Sequence, residues 1–300
     1  MFKFIKILFC ICFYFVALIG RNVEWKSDIA SSFGEGYYRN DNRVFKVNGV
    51  SFTMVYVSGG DFWMGATDEQ KKFAKDDEKP KMNVTLFSYY IGETEVTQEL
   101  WKAVMGNNPS RYKSSKRPVE QVSWEDCQLF IEKLNHLTGE HFRLPTESEW
   151  EYAARGRKNS PNVYSGFYSI DSVAVYWKNS GDSYILEDDN KWNRKQIEDN
   201  NGRTHYVATK RPNELGIYDM SGNVWEWCQD YYGKYKKHKK KDKMKNFNID
   251  LTNNLNEVYH PCRVIRGGAW NDDASSCRVS SRGARQPDRP HFCVGLRLAL

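Results

Sequence analysis

A chain of 300 residues with 40% hydrophobic content is long enough for one large domain or two small ones around a real core, which excludes disorder as its general state. The formal net charge of +6 is concentrated in one place: residues 234–245, KYKKHKKKDKMK, hold eight Lys against one Asp, and the remainder of the chain is close to neutral. That argues against a nucleic-acid binder, which spreads positive charge over a face interleaved with aromatics, and leaves the lysine run as a solvated loop or a contact for an anionic surface or partner.

In chain order, Lys3 and Lys6 precede an uninterrupted apolar run from Ile7 to Ile19, and polar sequence resumes at Arg21. Residues 1–20 read as a signal peptide, too short for a comfortable transmembrane span, and the mature protein is expected to be periplasmic, cell-surface or secreted. Membrane contact then falls to this segment or to the lysine run. Residues 21–43 are polar without apolar periodicity and read as a linker, so a single domain is expected over 44–300. Within it, 52–65 reads as strand, Gly-Gly turn, strand, and 83–97 holds another strand. Thr97 is placed to cap a helix that Gly106-Asn107 ends near Met105. Ser123 and Asp126 open a second helix, with Cys127, Phe130, Ile131 and Leu134 at helical spacing and Thr138-Gly139 as its stop. Thr146 and Glu149 form a capping box for a third, whose buried face is Trp150, Ala153 and Ala154. Residues 157–215 are mostly irregular, and 184–203 read as an exposed insertion. A Trp-rich segment follows at 218–232, and strands are expected at 263–270 and 294–300. Strands and short helices alternate without a βαβ period, which implies an α+β domain.

Ten Trp and eighteen Tyr suit a loop-rich fold that packs rings against backbone, or a binding surface. Beyond Cys10 and Cys12 in the apolar run, five cysteines remain: Cys127, Cys228, Cys262, Cys277 and Cys293. After export they can pair, and their odd number leaves at least one free. The absence of C-x-x-C and of His ligand spacing argues against zinc.

Seven segments, GGDFWMG (59–65), YYIGETEVTQELW (89–101), PVEQVSWEDCQLFIEKLN (118–135), RLPTESEWEYAARG (143–156), NELGIYDMSGNVWEW (213–227), RVIRGG (263–268) and VGLRL (294–298), together resemble the formylglycine-generating enzyme, or sulfatase-modifying factor, superfamily in its order. The resemblance implies an irregular α+β, C-type-lectin-like fold with little regular secondary structure. It does not fix activity, since the superfamily contains copper-dependent oxidases that convert a sulfatase cysteine to formylglycine as well as domains that bind or scaffold. The oxidase resemblance implies a calcium site at Asp219, Gly222, Val224 and Glu226, two carboxylates and two backbone carbonyls, a hard-oxygen set that suits Ca2+. It also implies an active-site tryptophan at Trp225.

The oxidase centre departs from the pattern. Where the family carries Ser and then two thiols five residues apart, this chain has Ala269, Asp272 and Cys277. Two thiolates suit Cu(I), whereas a carboxylate is a hard ligand, so copper is not expected. Cys262 and Cys293 lie on or beside the two terminal strands and are expected to form a disulfide, and Cys228 is expected to reach Cys277. Arg266, Arg278, Arg282, Arg285 and Arg289 crowd the C-terminal region with Asp272, Asp273 and Asp288. They read either as salt bridges tying down loops or as a cleft for an anionic peptide or glycan. The function these readings support is an exported, calcium-stabilised binding or scaffolding protein with a protein, peptide or glycan partner. The rival is an oxidase that uses altered metal ligands on a sulfatase substrate.

Overall fold

Helix boundaries follow from residues that satisfy the free N–H groups of each first turn. Thr97 accepts from the Leu100 amide to start α1 (Gln98–Met105), and Gly106 ends it in the left-handed region. Ser123 with Asp126 boxes the start of α2 (Trp124–Thr138), and Thr146 with Glu149 boxes that of α3 (Glu147–Ala154). The computed structural model describes residues 41–156, 160–186, 191–235 and 261–300. The segment expected to be a signal peptide, nearly all of the expected linker and most of the lysine run lie outside the described residues. Among the described residues no helix is long and apolar enough to cross a membrane.

The strands form three small sheets. β1 (Arg43–Val47) and β2 (Val50–Val57) make a hairpin through Asn48-Gly49, and β5 (Tyr89–Gly92) joins β2 antiparallel. β3 (Gly60–Met64) pairs with β4 (Met82–Leu86). The third sheet holds β6 (Trp225–Tyr231), β7 (Arg263–Arg266), β8 (Arg282–Arg285) and β9 (Val294–Gly295) in the order β8-β7-β6-β9, with only the β6–β9 pair parallel. Two single-turn helices, α4 (Ile170–Val173) and α5 (Arg194–Asp199), lie in the irregular middle region.

The third sheet separates two cores. Trp227 and Ile265 face a core with Phe45, Trp101, Phe130 and Leu134, while Cys228 and Val264 face another with Phe62, Val84, Trp150 and Ile217. This is the period-2 alternation of a sheet buried on both faces.

Three expectations change. The strand expected at 263–270 stops at Arg266, because Gly267 and Gly268 turn the chain with φ of 100° and 73°. The strand expected at 294–300 is two residues long, and its continuation is an extended tail shared among several partners: Leu296 accepts from Val96, Leu298 from Gly92, and Ala299 bridges both Ile91 and Arg143. The insertion at 184–203 is anchored rather than wholly exposed, since Ile197 is buried and Gly202 leaves no room for a side chain against Trp270.

The expected disulfides are corrected by the same topology. All five described cysteines are free thiols. β6 separates β7 from β9, so the strands that Cys262 and Cys293 lead into are not neighbours. The Cys262 carbonyl accepts from Tyr232 beyond one end of β6, and the Cys293 carbonyl from Trp225 at the other. Cys228 and Cys277 belong to different cores on opposite faces of the sheet.

Candidate functional site

Residues 219–226 form a turn that leads into β6, and their conformation is specified residue by residue. Asp219, Gly222 and Asn223 all have positive φ, at 58°, 82° and 61°. Only glycine fits at 222, because a Cβ there would run into the Val175 carbonyl. The Asn223 amide donates to Val175, and its side chain donates to Glu95 Oε2 at 2.7 Å while its Oδ1 accepts from the His205 amide. The Val224 amide donates to Glu95 Oε1 at 3.0 Å. Glu95, in the link between β5 and α1, thus fastens the turn, a residue that sequence reasoning passed over.

Three carboxylates and one guanidinium meet behind this turn. Arg297 is fully buried and grips Glu226, with Nη2 to Oε1 at 2.6 Å and Nε to Oε2 at 2.9 Å, and the Trp150 indole N–H donates to Oε2 at 2.6 Å. Arg297 also donates to the carbonyls of Gly92 and Tyr218. Asp219 Oδ2 accepts from the Ala208 amide at 2.7 Å, but Oδ1 is buried with no partner. Burial pushes Asp219 up to about 6, and burial followed by the charges of Asp219 and Glu226 holds Glu95 well above the usual carboxylate range. A single guanidinium cannot neutralise three carboxylates, so excess negative charge and an orphaned oxygen coincide. Among the described residues no three His, Cys, Asp or Glu side chains converge as metal ligands. A cation here would draw on Asp219 and backbone carbonyls, as in the expected set of Asp219, Gly222, Val224 and Glu226, but both Glu226 oxygens are already held by Arg297 and Trp150. The orphaned Asp219 oxygen and the unbalanced charge fit a hard divalent ion.

On the other side of the turn, Trp225 and Asp272 are brought together: the indole N–H donates to Asp272 Oδ2 at 2.6 Å. Burial pushes Asp272 up to about 6 even with that bond. Cys277 is fully buried beside Gly268, where a Cβ would stand 2.8 Å from its Sγ. Burial, then Asp272 and Asp273, raise the Cys277 thiol well above its ordinary range, which is the opposite of an activated thiolate. Ala269 is fully buried in the core and supplies no hydroxyl. One pair at this end went unforeseen: His291 Nδ1 lies 2.9 Å from Cys293 Sγ. Burial and then Arg285 push His291 down to about 4, and burial followed by Asp272 raises Cys293. The pair is therefore a neutral thiol and a neutral imidazole.

The arginine-rich C-terminus divides. Arg266 pairs with Glu147 and Glu151, Arg282 with Glu147 and Arg278 with Glu78, all with both partners at most 2% exposed. These tie α3, the loop before β4 and the third sheet into one unit. Arg285 and Arg289 are not part of that network.

Residues 42–300 match the sulfatase-modifying factor enzyme 1-like domain. The chain is 35% identical over 268 residues to the chaperone protein LppX of Paenibacillus barcinonensis, covering 78% of this chain and 84% of that protein. It is 29% identical over 214 residues to the formylglycine-generating enzyme of Thermomonospora curvata, covering 66% of this chain and 60% of the enzyme. It spans 37% of the serine/threonine-protein kinase pkn1 of Chlamydia pneumoniae at 26% identity, with 82% of this chain covered. Among solved structures, the Treponema denticola variable protein 1 is similar at a TM-score of 0.66 and 29% identity, over 86% of this chain and 98% of that one. The irregular α+β architecture is the C-type-lectin-like fold of the formylglycine-generating enzymes. With the segment order, the fold and a match over nearly the whole described chain in agreement, this protein belongs to the sulfatase-modifying factor enzyme 1-like family.

Proposed function

We propose that this domain binds a polypeptide partner without oxidising it, outside the cytosol, and that calcium stabilises it. The observation that carries this reading is the Trp225–Asp272 hydrogen bond of 2.6 Å. A carboxylate, fixed by an indole, stands where the oxidases of the family hold the first of two thiolates. The remaining thiol, Cys277, is buried and disfavoured as a thiolate. One hard oxygen and one protonated sulfur are a poor match to Cu(I), which takes soft ligands in near-linear pairs. The residues do not fit copper. Similarity to a protein named as a chaperone supports a polypeptide partner. The apolar run behind Lys3 and Lys6 supports export. Mass spectrometry of the mature protein should find residues 1–20 absent, and an intact N-terminus on a cytosolic protein would refute that.

The test of the main reading is titration with Cu(I) against a chromophoric chelator, together with incubation of a C-x-P-x-R peptide. Neither stoichiometric copper nor aldehyde product is expected. Asp272→Cys combined with Ala269→Ser should restore Cu(I) affinity, because Cys277 is a free thiol. The rival reading, an oxidase with altered ligands, draws on the survival of Cys277 beside Asp272. Wild-type conversion of the peptide to the aldehyde, abolished by Cys277→Ser, would establish the rival and end the non-oxidative reading.

A further inference from the structure

Arg266, Arg278, Arg282 and Arg297 each meet a buried carboxylate. Two arginines of the same sheet do not. Arg263 on β7 and Arg285 on β8 are direct cross-strand partners, and among the described residues neither forms an ion pair. Residues opposite each other in an antiparallel pair share a face at about 5 Å, and like charges there repel. The Nε atoms of both are shielded from water with no acceptor. Among the described residues the Arg285 side chain makes no hydrogen bond, and the only acceptor held by the Arg263 side chain is the Gln229 carbonyl, 2.7 Å from its Nη1.

The row is built rather than accidental. Tyr231 on β6 pairs across from Arg263, so Tyr231, Arg263 and Arg285 run side by side over three strands. The Arg263 guanidinium carbon stands 3.9 Å from the Trp124 ring centroid and 3.5 Å from that of Tyr231, which holds it between two aromatic rings. All four side chains are partly exposed, so the row can be reached from solvent. Asp230 attracts Arg263. However, the Asp230 carboxylate accepts the Glu147 amide at 2.7 Å and burial pushes it up to about 7, so it supplies little countercharge.

We infer that the Arg263–Arg285 row is a carboxylate-binding site for an acidic polypeptide segment. A guanidinium carries its donors in one plane, and the two flanking rings restrict the orientation of Arg263. A carboxylate is planar with two acceptor oxygens and meets such a fork bidentately. Two arginines at paired positions of adjacent strands call for acidic groups in series, which an acidic chain supplies. The identification of the ligand as polypeptide rests on the binding function proposed above, while the anion requirement rests on two partly exposed arginines that meet no carboxylate among the described residues.

The test uses the full chain and a fluorescent hexaglutamate, with hexaglutamine as control and inorganic phosphate as competitor, read by anisotropy. Hexaglutamate is expected to bind and to weaken with salt, while hexaglutamine does not bind. Arg285→Gln should weaken binding by about tenfold or more, the scale of a lost charged hydrogen bond, and adding Arg263→Gln should lower it to the level that the lysine run at 234–245 sustains. Because the Arg285 side chain holds no ion-pair partner among the described residues, Arg285→Gln should melt no lower than the wild type. Equal hexaglutamate binding by wild type and double variant would overturn the inference. So would phosphate binding tighter than hexaglutamate, which would mark a small-oxyanion site, or a lowered melting point in Arg285→Gln, which would mark a structural role. Peptide oxidation is measured separately and does not move the hexaglutamate result, so failure here and failure of the non-oxidative reading are told apart.

Discussion

Glu120 shows what burial does to one carboxylate. It is fully buried, Oε1 accepts the Tyr112 amide at 3.0 Å, and Oε2 has no partner. Burial pushes it up to about 7 from an ordinary 4.5, despite the backbone bonds that favour the charged form. A carboxyl raised in the folded state stabilises fully below its unfolded pKa, and that share is lost as pH rises through the folded value. Wild type should therefore lose stability between pH 5 and pH 8 in a way that Glu120→Gln does not. By linkage the variant gains up to about 3 kcal/mol at pH 8, less whatever its amide leaves unpaired. Urea denaturation at several pH values reads this directly, and parallel pH profiles for the two proteins would refute it. Nothing in PVEQVSW marks Glu120 as buried, because its shielding comes from segments far off in sequence. Asp272 is the contrasting case. Its position after RGG was readable, but the Trp225 bond that fixes it crosses from β6 to the turn after β7 and was not.

At the scale of elements, local chemistry was readable and pairing was not. All three longer helices start, and α1 and α2 also stop, where their capping residues predicted. By contrast β8, RGAR, has no apolar alternation and was missed; it exists because β7 offers it a ladder. The cysteine pairs were misjudged for the same reason, since strand order within a sheet is decided by tertiary contacts. α3 gives an element-level test. Its first turn holds Glu147, which receives Nε and Nη2 of Arg282 at 2.6 and 2.8 Å, and Glu149, which receives Arg143. Thr146→Ala removes the cap, a loss of about 1 kcal/mol in general. Here the upper end, about 2 kcal/mol, is expected, because a frayed first turn also displaces the partner of a buried arginine. Ser123→Ala on α2, whose first-turn acids hold no buried arginine, should lose less. Equal losses in the two variants by thermal melting would mean that the α3 start does not organise the charge network.

For the molecule as a whole, the calcium proposal makes the sharpest prediction, because the turn at 219–226 lies where distant stretches meet. Glu95 enters from the link between β5 and α1, Arg297 from the C-terminal tail, Trp150 from α3, and Val175 and Gly267 hold the turn from either side. An ion that binds only the folded state stabilises by about 2.7 kcal/mol at a hundredfold excess over its dissociation constant. In a domain of this size that raises the melting temperature by roughly 5–10 °C. Chelation of the wild type should therefore lower its melting point, and millimolar calcium should restore it. The choice of variant matters. Glu226→Ala would strand Arg297 and the Trp150 indole in the interior, and breaking a buried ion pair costs about 3–5 kcal/mol with or without a metal, so its instability would say nothing about calcium. Asp219→Ala removes the orphaned oxygen and a carboxylate whose burial is already unfavourable. It also leaves the Ala208 amide without its acceptor and puts Ala at a positive φ, so it should melt at or below the chelated wild type and respond to neither calcium nor chelator, whereas Asp219→Asn keeps an oxygen and should retain part of the response. A wild-type melting curve indifferent to both additions would remove the ion from the site. The negative charge behind the turn would then be relieved by protonation of Glu95 and Asp219, the two carboxyls that burial already pushes upward.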